Sequence, residues 1–289
     1  MEATAPAAGQ YRAWLSGGMF RLGSTPAGIV TADATQGASV GLRTVAQICS
    51  QIVTGPGGIL AEDVTTADLT ALDADNSAEV GILLNAETCR DALDALTNSI
   101  GAWWGFDRFG KYRTGRFGAP DGLPVAEIAP DDIISIDRIA SNDAGRGVSA
   151  WQVTLKYKRI YTTQTTDLAG SVVDARRAEL REEYRQAVAS DASIKTKHTL
   201  APLLEFETLL VDVISAGAEA TRRLDLYKAE RTTLEVKMGY DASLVATLDL
   251  GDVVQLTVPR FGMDAGKLFT VTGLRSDLQN KLLYLTLWG

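Results

Sequence analysis

Hydrophobic positions at three- and four-residue steps mark the helices of this chain. Leu42, Val45, Ile48, Cys49 and Ile52 place an amphipathic helix over 39–53, closed by Gly-Pro-Gly-Gly at 55–58. Leu69 and Leu72 give a short second helix over 65–74. Cys89, Leu93, Leu96 and Ile100 give a third over 87–100, with Asn85 as its candidate cap. Residues 171–188 read as a fourth, whose apolar stripe of Val173, Leu180 and Tyr184 is thin. A long helix over 210–228 turns Leu210, Val213, Ile214, Gly217, Thr221 and Leu224 inward and Arg222 and Arg223 outward.

Elsewhere the period is two. YRAWL (11–15) and MFRL (19–22), separated by Ser16, Gly17 and Gly18, predict a strand, a glycine turn and a second strand. AGIVTADA (27–34) and VGILL (80–84) are further strand candidates. DDIISIDRIA (131–140) reads as a strand opened by acids and followed by a soluble turn at 141–147. VSAWQVTLKYKRIYT (148–162) alternates Trp151, Val153, Leu155 and Tyr157 on one face against a wetter opposite face. Residues 189–204 read as an extended excursion. The end is all strand, over 231–240, 252–258, 267–277 and 281–289, with turns at Gly251-Asp252 and 261–267.

Several strands after one long helix predict an α+β chain: an antiparallel, barrel-like sheet with an inserted or adjacent helix and β-hairpin domain. The segments divide as N-terminal strands over 1–38 that pair with a barrel or a partner, an α+β domain over 39–129, a strand with charged helices and the excursion over 130–230, and barrel strands over 231–289. Strands this near the first residue are expected to join a sheet whose other members come from elsewhere. The 151–161 strand is the expected neighbour for the open edges of the C-terminal sheet.

GAWWGFDRFGKYRTGRF (101–117) is the densest aromatic stretch. Asp107 and Gly110 suit a type I turn between strands at 102–106 and 111–117, which makes a hairpin following a helix. Alternation sends Trp103 and Trp104 to opposite faces. One should cover the 87–100 helix, and the other a second layer or a neighbouring subunit. An open platform for a sugar or base needs several aromatics on one face, which this pattern spoils.

Charge narrows the function. The formal net charge is −8, and residues 33–94 carry ten acids against Arg43 and Arg90, which equals the whole imbalance. Tight nucleic-acid binding calls for the opposite sign. Arg177, Arg181 and Arg185 repeat at four-residue spacing on the predicted fourth helix, a solvated face or a contact for an acidic partner. Cys49 and Cys89 lie in apolar helical patterns and read as buried thiols, with a disulfide left open by their spacing. The opening residues give neither the basic start nor the apolar run of a secretory signal, and no stretch approaches the length of a membrane span.

Candidate chemistry is scarce. His198 is the single histidine and sits in the polar stretch KTKHTL, so no histidine metal site or Ser-His-Asp set is expected. Asp131-Asp132 and Glu182-Glu183 are adjacent pairs with no reason to select either for hydrolysis. GPGG lacks the Gly-Lys-Ser/Thr of a phosphate loop. The reading is of a protein that is not an enzyme, with no catalytic residue, metal ligand or cofactor.

Several stretches together resemble a known family. APAAGQYRAWLSGGMFRLG, TADATQGASVGLRTVAQI, LLNAETCRDALDALTNSIGAWWGFDRFGKYRTGRF, SIKTKHTLAPLLEFETLLVD and LDLGDVVQLTVPRFGMDAGKLFTVTGL occur in order over nearly the whole chain. They resemble the tail hub, or tail-tip, proteins of long-tailed bacteriophages, prophages and gene-transfer particles. The resemblance implies a structural part of the virion at the distal end of the tail, made in the host cytoplasm. It implies a homotrimer with tail-tube-like barrels that closes the tube, supports fibre attachment and lets DNA pass without specific binding. Implied partners are other copies of the chain and tail-tip, tail-tube and fibre proteins.

On this reading the subunit or partner contacts are sought at Tyr11, Trp14, Trp103, Trp104, Arg177, Arg181, Arg185, Tyr284 and Trp288, with Asp107, Gly110, Gly251 and Asp252 shaping turns. A channel wall is expected to be neutral or acidic, since each neutralised phosphate adds binding that ejection must break. The alternatives are a cell-wall or polysaccharide hydrolase using scattered carboxylates, and a receptor- or glycan-binding module built on Trp103, Trp104 and Tyr112.

Overall fold

The computed structural model describes the chain apart from residues 1–3, 27, 29, 38, 140–148, 167 and 171. The turn expected at 141–147 therefore lies outside the described residues. In chain order, β1 (Tyr11–Trp14) and β2 (Met19–Leu22) are followed by α1 (Val45–Thr54), α2 (Thr66–Asp75) and α3 (Cys89–Ser99). Then come β3 (Ala102–Phe106), β4 (Tyr112–Arg116), β5 (Ala126–Ile128), β6 (Ile133–Arg138) and β7 (Gln152–Tyr157). Next are α4 (Asp174–Arg181), β8 (Arg185–Ser190), α5 (Ala192–Lys197), β9 (Leu203–Glu207) and α6 (Val213–Tyr227). The chain finishes with β10 (Thr233–Gly239), α7 (Ala242–Thr247), β11 (Val253–Leu256), β12 (Lys267–Asp277) and β13 (Leu282–Trp288). The fold class is α+β.

The chain divides into two compact units. The first comprises residues 1–36 and 160–183. It contains the antiparallel β1–β2 hairpin, a stretch at 30–36 that holds no strand, and α4, where Arg176 grips Asp33 and Glu179, each at 2.6 Å. The second unit holds everything else and three hydrophobic clusters.

One cluster lies where α1, α2 and α3 meet the β3–β4 hairpin, around Cys49, Leu72, Leu96, Ile100 and Tyr112. Helix α3 starts at Thr88, whose hydroxyl accepts from Asp91 N while the Asp91 carboxylate accepts from Thr88 N. This capping box, three residues beyond the expected Asn85, satisfies two orphan amides reciprocally. The 80–84 stretch contributes only a single bridge, Val80 to Leu210, in place of the expected strand.

A second cluster fills a six-stranded sheet of order β5-β11-β12-β13-β10-β6. Leu283, Leu285 and Leu287 of β13 alternate into it fully buried, each contributing roughly 2 kcal/mol. Only four residues separate Ile128 at one edge from Ile133 at the other. Five chain steps reach about 18 Å at most, whereas six flat strands would span about 24 Å, so the sheet must curl into a half-barrel. Gly273 sits at the β12 bulge, where a Cβ would press on the Thr286 side chain at 2.9 Å.

The third cluster joins α6 to the sheet β8-β7-β9 through Ala150, Val153, Leu155, Leu204, Ala220 and Leu224. Here several expectations are corrected. The 151–161 region does not edge the C-terminal sheet; β5 and β6 do, and β7 is the central strand of its own sheet. The helix expected over 171–188 stops at Arg181. Residues 185–190 form β8, paired to β7 from Tyr157↔Arg185 to Gln152↔Ser190, so cross-strand pairing overrides a composition that favours helix. The excursion at 189–204 holds α5 and leads into β9, which runs parallel to β7.

Candidate assembly interface

The β1–β2 ribbon pairs only within itself among the described strands. Its register, Tyr11↔Leu22 to Trp14↔Met19, puts Tyr11, Ala13, Phe20 and Leu22 on one face and Arg12, Trp14, Met19 and Arg21 on the other. Tyr11 is 71% exposed, Met19 and Phe20 48% and Trp14 42%. A lone two-stranded ribbon is marginal in water, and large apolar side chains exposed on both of its faces mark a surface to be covered. Gly17 belongs to its turn, because a Cβ there would overlap the Trp14 ring.

The aromatic hairpin is built as its turn residues require. Asp107 accepts from Phe109 N at 2.8 Å and Lys111 N at 3.0 Å, and Gly110 takes a positive φ of 77°. These amides hold the Asp107 carboxyl below its usual pKa, that of Lys111 most strongly. Trp104 covers the helical cluster. Its Nε1 donates to Asp94 of α3 at 2.7 Å and its ring stacks on Tyr112 at 6.2 Å. Trp103 faces the other way, onto Gly115 and Gly251, and also lines a cleft of about 440 Å³ with Phe206, Tyr227, Arg222 and Arg223. At the turn, Arg108 donates to the carbonyls of Val245 and Leu248, which ties the hairpin to the end of α7.

Beneath that cleft lies a charge cluster that periodicity misplaced. The buried residues of α6 are Ala216, Glu219, Ala220, Arg223, Leu224 and Leu226, while Val213 and Ile214 point to water. Leu210 and Leu224 are buried as expected, whereas Val213, Ile214 and Thr221 are exposed and Arg223 turns inward. Glu219 is only 1% exposed and receives three guanidinium groups. Arg116 Nη2 lies 2.5 Å from Oε2, and Arg222 Nη2 and Arg223 Nε lie 2.8 and 2.7 Å from Oε1. The arginines also donate to the carbonyls of Asp75, Asn98, Ile100 and Phe117, thereby closing the C-terminal ends of α2 and α3. Burial pushes the Glu219 carboxyl up, but the arginines outweigh it and the net shift is down. Burial also lowers Arg116, helped by the charge of Arg222 and opposed by Glu219. The signal in the sequence was Glu-x-x-Arg-Arg, a spacing that brings all three groups to one helix face.

The remaining candidates are scattered. Arg177 donates to the carbonyls of Val172 and Ala169, Arg181 ends α4, and Arg185 belongs to β8, so the three form no single helical row. Tyr284 lies on β13 with Arg275 3.8 Å from its ring centre. Trp288 is buried, tilted against Phe117 at 4.7 Å and stacked under Arg231 at 4.8 Å. Gly251 has a φ of 92°, and Asp252 accepts from Asp249 N at 2.7 Å.

His198 sits 3.2 Å from Glu230. Cys49 and Cys89 are free thiols: Cys49 is buried, which pushes its pKa to about 12, while Cys89 is partly exposed, contrary to expectation. Glu205 and Glu207 line the Trp103 cleft as exposed surface acids that share one ion-pair partner, Lys156, at 3.5 and 3.8 Å, and Glu207 also accepts from the Tyr184 hydroxyl at 3.0 Å. Among the described residues no group of acids, histidines and cysteines has the geometry to hold a metal, and no helix is long and apolar enough to cross a membrane.

The architecture can be compared with solved structures. The chain superposes on the tail protein of Neisseria meningitidis MC58 with a TM-score of 0.54 at 17% identity, over 85% of this chain and 67% of that one. The two chains share a fold. Matches with lower TM-scores are the 43 kDa tail protein of prophage MuSo2 from Shewanella oneidensis (0.48, 14% identity, 85% of this chain and 62% of that one) and the prophage tail protein gp18 from Listeria monocytogenes EGD-e (0.40, 12%, 75% and 58%). The chain thus spans about two thirds or less of the length of these proteins. No protein-family model matches the sequence, and no curated protein matches it.

Proposed function

We propose that this chain is a structural component of a phage or prophage tail tip, forming part of the hub that closes the tail tube, carries fibres and lets DNA pass. It acts as a homotrimer at the distal end of the virion, among tail-tube and fibre proteins, and catalyses no reaction. The observation that carries this reading is the fold shared with a tail protein over 85% of the chain. The uncovered aromatic ribbon of β1 and β2 supports it, since an assembly supplies the apolar neighbours that ribbon lacks. The half-barrel adds a curled wall of the kind a tube terminus needs.

Imaging of the intact particle at side-chain resolution tests the reading. Three copies about the tail axis at its distal end, with Tyr11, Trp14, Met19 and Phe20 buried against neighbours, are expected. A chain found away from the tail, or present as one copy with this ribbon in solvent, would overturn it.

A further inference from the structure

Strand β9 lies at the margin of its sheet and lines the Trp103 cleft with Glu205, Phe206 and Glu207. It pairs only with β7, in a parallel register from Gln152↔Leu203 to Lys156↔Glu207. Thr208 N donates to Lys156 O at 2.9 Å, which fixes the phase of the ladder. Residues 204 and 206 therefore turn their amides to β7, while Leu203, Glu205 and Glu207 turn their N–H and C=O groups outward. Among the described residues nothing pairs with those outward groups.

The two faces beside this edge differ in chemistry. Leu204 and Phe206 turn toward α6 and its hydrophobic cluster, and the side chains between them turn the other way. On the α6 side the cleft presents Trp103, Leu226 and Tyr227 above the guanidinium groups that share Glu219. Arg223 is only 5% exposed. Its Nε is bound to Glu219 and its Nη2 to the Asn98 carbonyl, but its Nη1 donates no hydrogen bond among the described residues. Three cations on one carboxylate leave this side a positive surplus. On the other side Glu205 and Glu207 share the single cation of Lys156, which leaves a negative one. Acids on an edge strand often serve only to discourage pairing. Here they stand beside an aromatic cleft and a deeply buried donor without an acceptor, neither of which that role requires.

We propose that β9 docks an extended segment of a partner protein as an added strand, with basic side chains over Glu205 and Glu207 and an aromatic and an acidic side chain in the Trp103 cleft. The outward backbone groups of residues 203, 205 and 207 supply the ladder, and alternation sends successive side chains of the segment to the two faces. A carboxylate in the cleft gives Arg223 Nη1 its acceptor, and a ring there packs against Trp103 and Tyr227. The volume of about 440 Å³ lies within the range of ligand pockets. The tail role proposed above is not required for this contact.

Fluorescence anisotropy of a dye-labelled peptide titrated with the full chain tests it. The probe is fluorescein-Gly-Lys-Phe-Lys-Glu-Lys-amide, and the control, fluorescein-Gly-Lys-Lys-Lys-Phe-Glu-amide, has the same composition without the alternation. The probe should bind with a Kd below about 1 mM and at least about tenfold more tightly than the control. Methylating the lysine amides, or instead those of Phe and Glu, removes ladder donors in one phase at a time. One of these two probes should lose at least about tenfold in affinity and the other should not. Glu205→Pro deletes an outward N–H without touching the β7 ladder, so it should weaken binding beyond Glu205→Gln, which removes the charge alone. If the Pro variant unfolds, the methylated probes read the same backbone contact on the unmodified chain.

No binding at about 1 mM, equal affinity for probe and control, or equal affinity of the two methylated probes overturns the proposal. So does a folded Glu205→Pro chain that binds as Glu205→Gln does. Quenching of tryptophan fluorescence by cellotetraose, with no binding of the peptide, would give the cleft to a sugar instead. These results leave the particle imaging independent, because a tail-tip trimer can form with β9 uncovered.

Discussion

Arg116 reaches Glu219 across 103 residues of sequence and meets its Oε2 at 2.5 Å, which joins β4 to the middle of α6. The carboxylate has no route to water, and two further guanidinium groups share it. Removing it strands cations, of which Arg223 is the most deeply buried. Glu219→Ala should therefore destabilise the chain by about 3 kcal/mol, the low end for a broken buried pair because Arg222 still reaches solvent. Urea denaturation at pH 7 measures it. A loss below about 0.5 kcal/mol would mean that the arginines are held by the helix carbonyls alone.

The same group sets an acid dependence. The folded-state pKa of Glu219 lies below its ordinary value, so the unfolded chain binds the proton more readily. Its contribution is present above the ordinary carboxyl range and is lost as pH falls through the depressed folded-state value. Unfolding free energy should rise with pH across that interval. Glu219→Gln should flatten that part of the profile while lowering stability at pH 7. An unchanged slope in the Gln variant would assign the acid dependence to other carboxylates.

Backbone conformation gives a separate test at Gly251. Its φ of 92° excludes most side chains, and a Cβ would stand 3.2 Å from the Trp103 ring. Gly251→Ala should cost about 1–2 kcal/mol and blue-shift tryptophan fluorescence only if the ring finds a drier position. At Gly110, where no atom lies within 4 Å of a Cβ, the same substitution carries the backbone term without the steric one. Equal losses at both sites would show that Trp103 yields freely.

Thiol chemistry distinguishes the two cysteines. A water-soluble disulfide reagent should label Cys89 in the native chain and reach Cys49 only on unfolding, because burial blocks access and keeps Cys49 protonated. The slow phase should follow the denaturant dependence of global stability. Two fast thiols would show that the α1–α3 cluster opens locally.

The exposed ribbon can be separated from the fold. Trp14→Ser with Phe20→Ser removes apolar groups that already face water, so the melting temperature should move by no more than about 2 °C. Incorporation into particles, read by mass spectrometry of purified virions, should fall at least about tenfold if those groups are covered in the assembly. A melting temperature lowered by about 10 °C would assign them to the fold instead.

The legibility of the sequence followed the kind of force involved. Period-two stretches in β12 and β13, the Asp107-to-Gly110 turn and the α1 stripe from Val45 to Ile52 were visible because each is a local pattern of apolar side chains or turn residues, although Leu42, read into that stripe, precedes the helix and is exposed. Helix α6 was found with part of its face misread, since its interior includes Glu219 and Arg223, and charge at a core position reads as solvent. Residues 185–190 were hidden for another reason: Arg-Gln-Ala-Val carries helical preference, and only the neighbouring β7 strand makes it extended. The Glu219 site was legible only as a spacing within α6, because Arg116 comes from a strand 103 residues earlier. Sheet order was equally remote, for β5 and β6 are sequence neighbours that end at opposite sides of one sheet.

That last arrangement puts unusual leverage in residues 129–132. A nick or a long insertion there would release the tether between both margins of the wall in a single event, letting it flatten and widen. A binding partner that grips the short Ala-Pro-Asp-Asp bridge could set the wall's radius of curvature without touching any of its interior leucines.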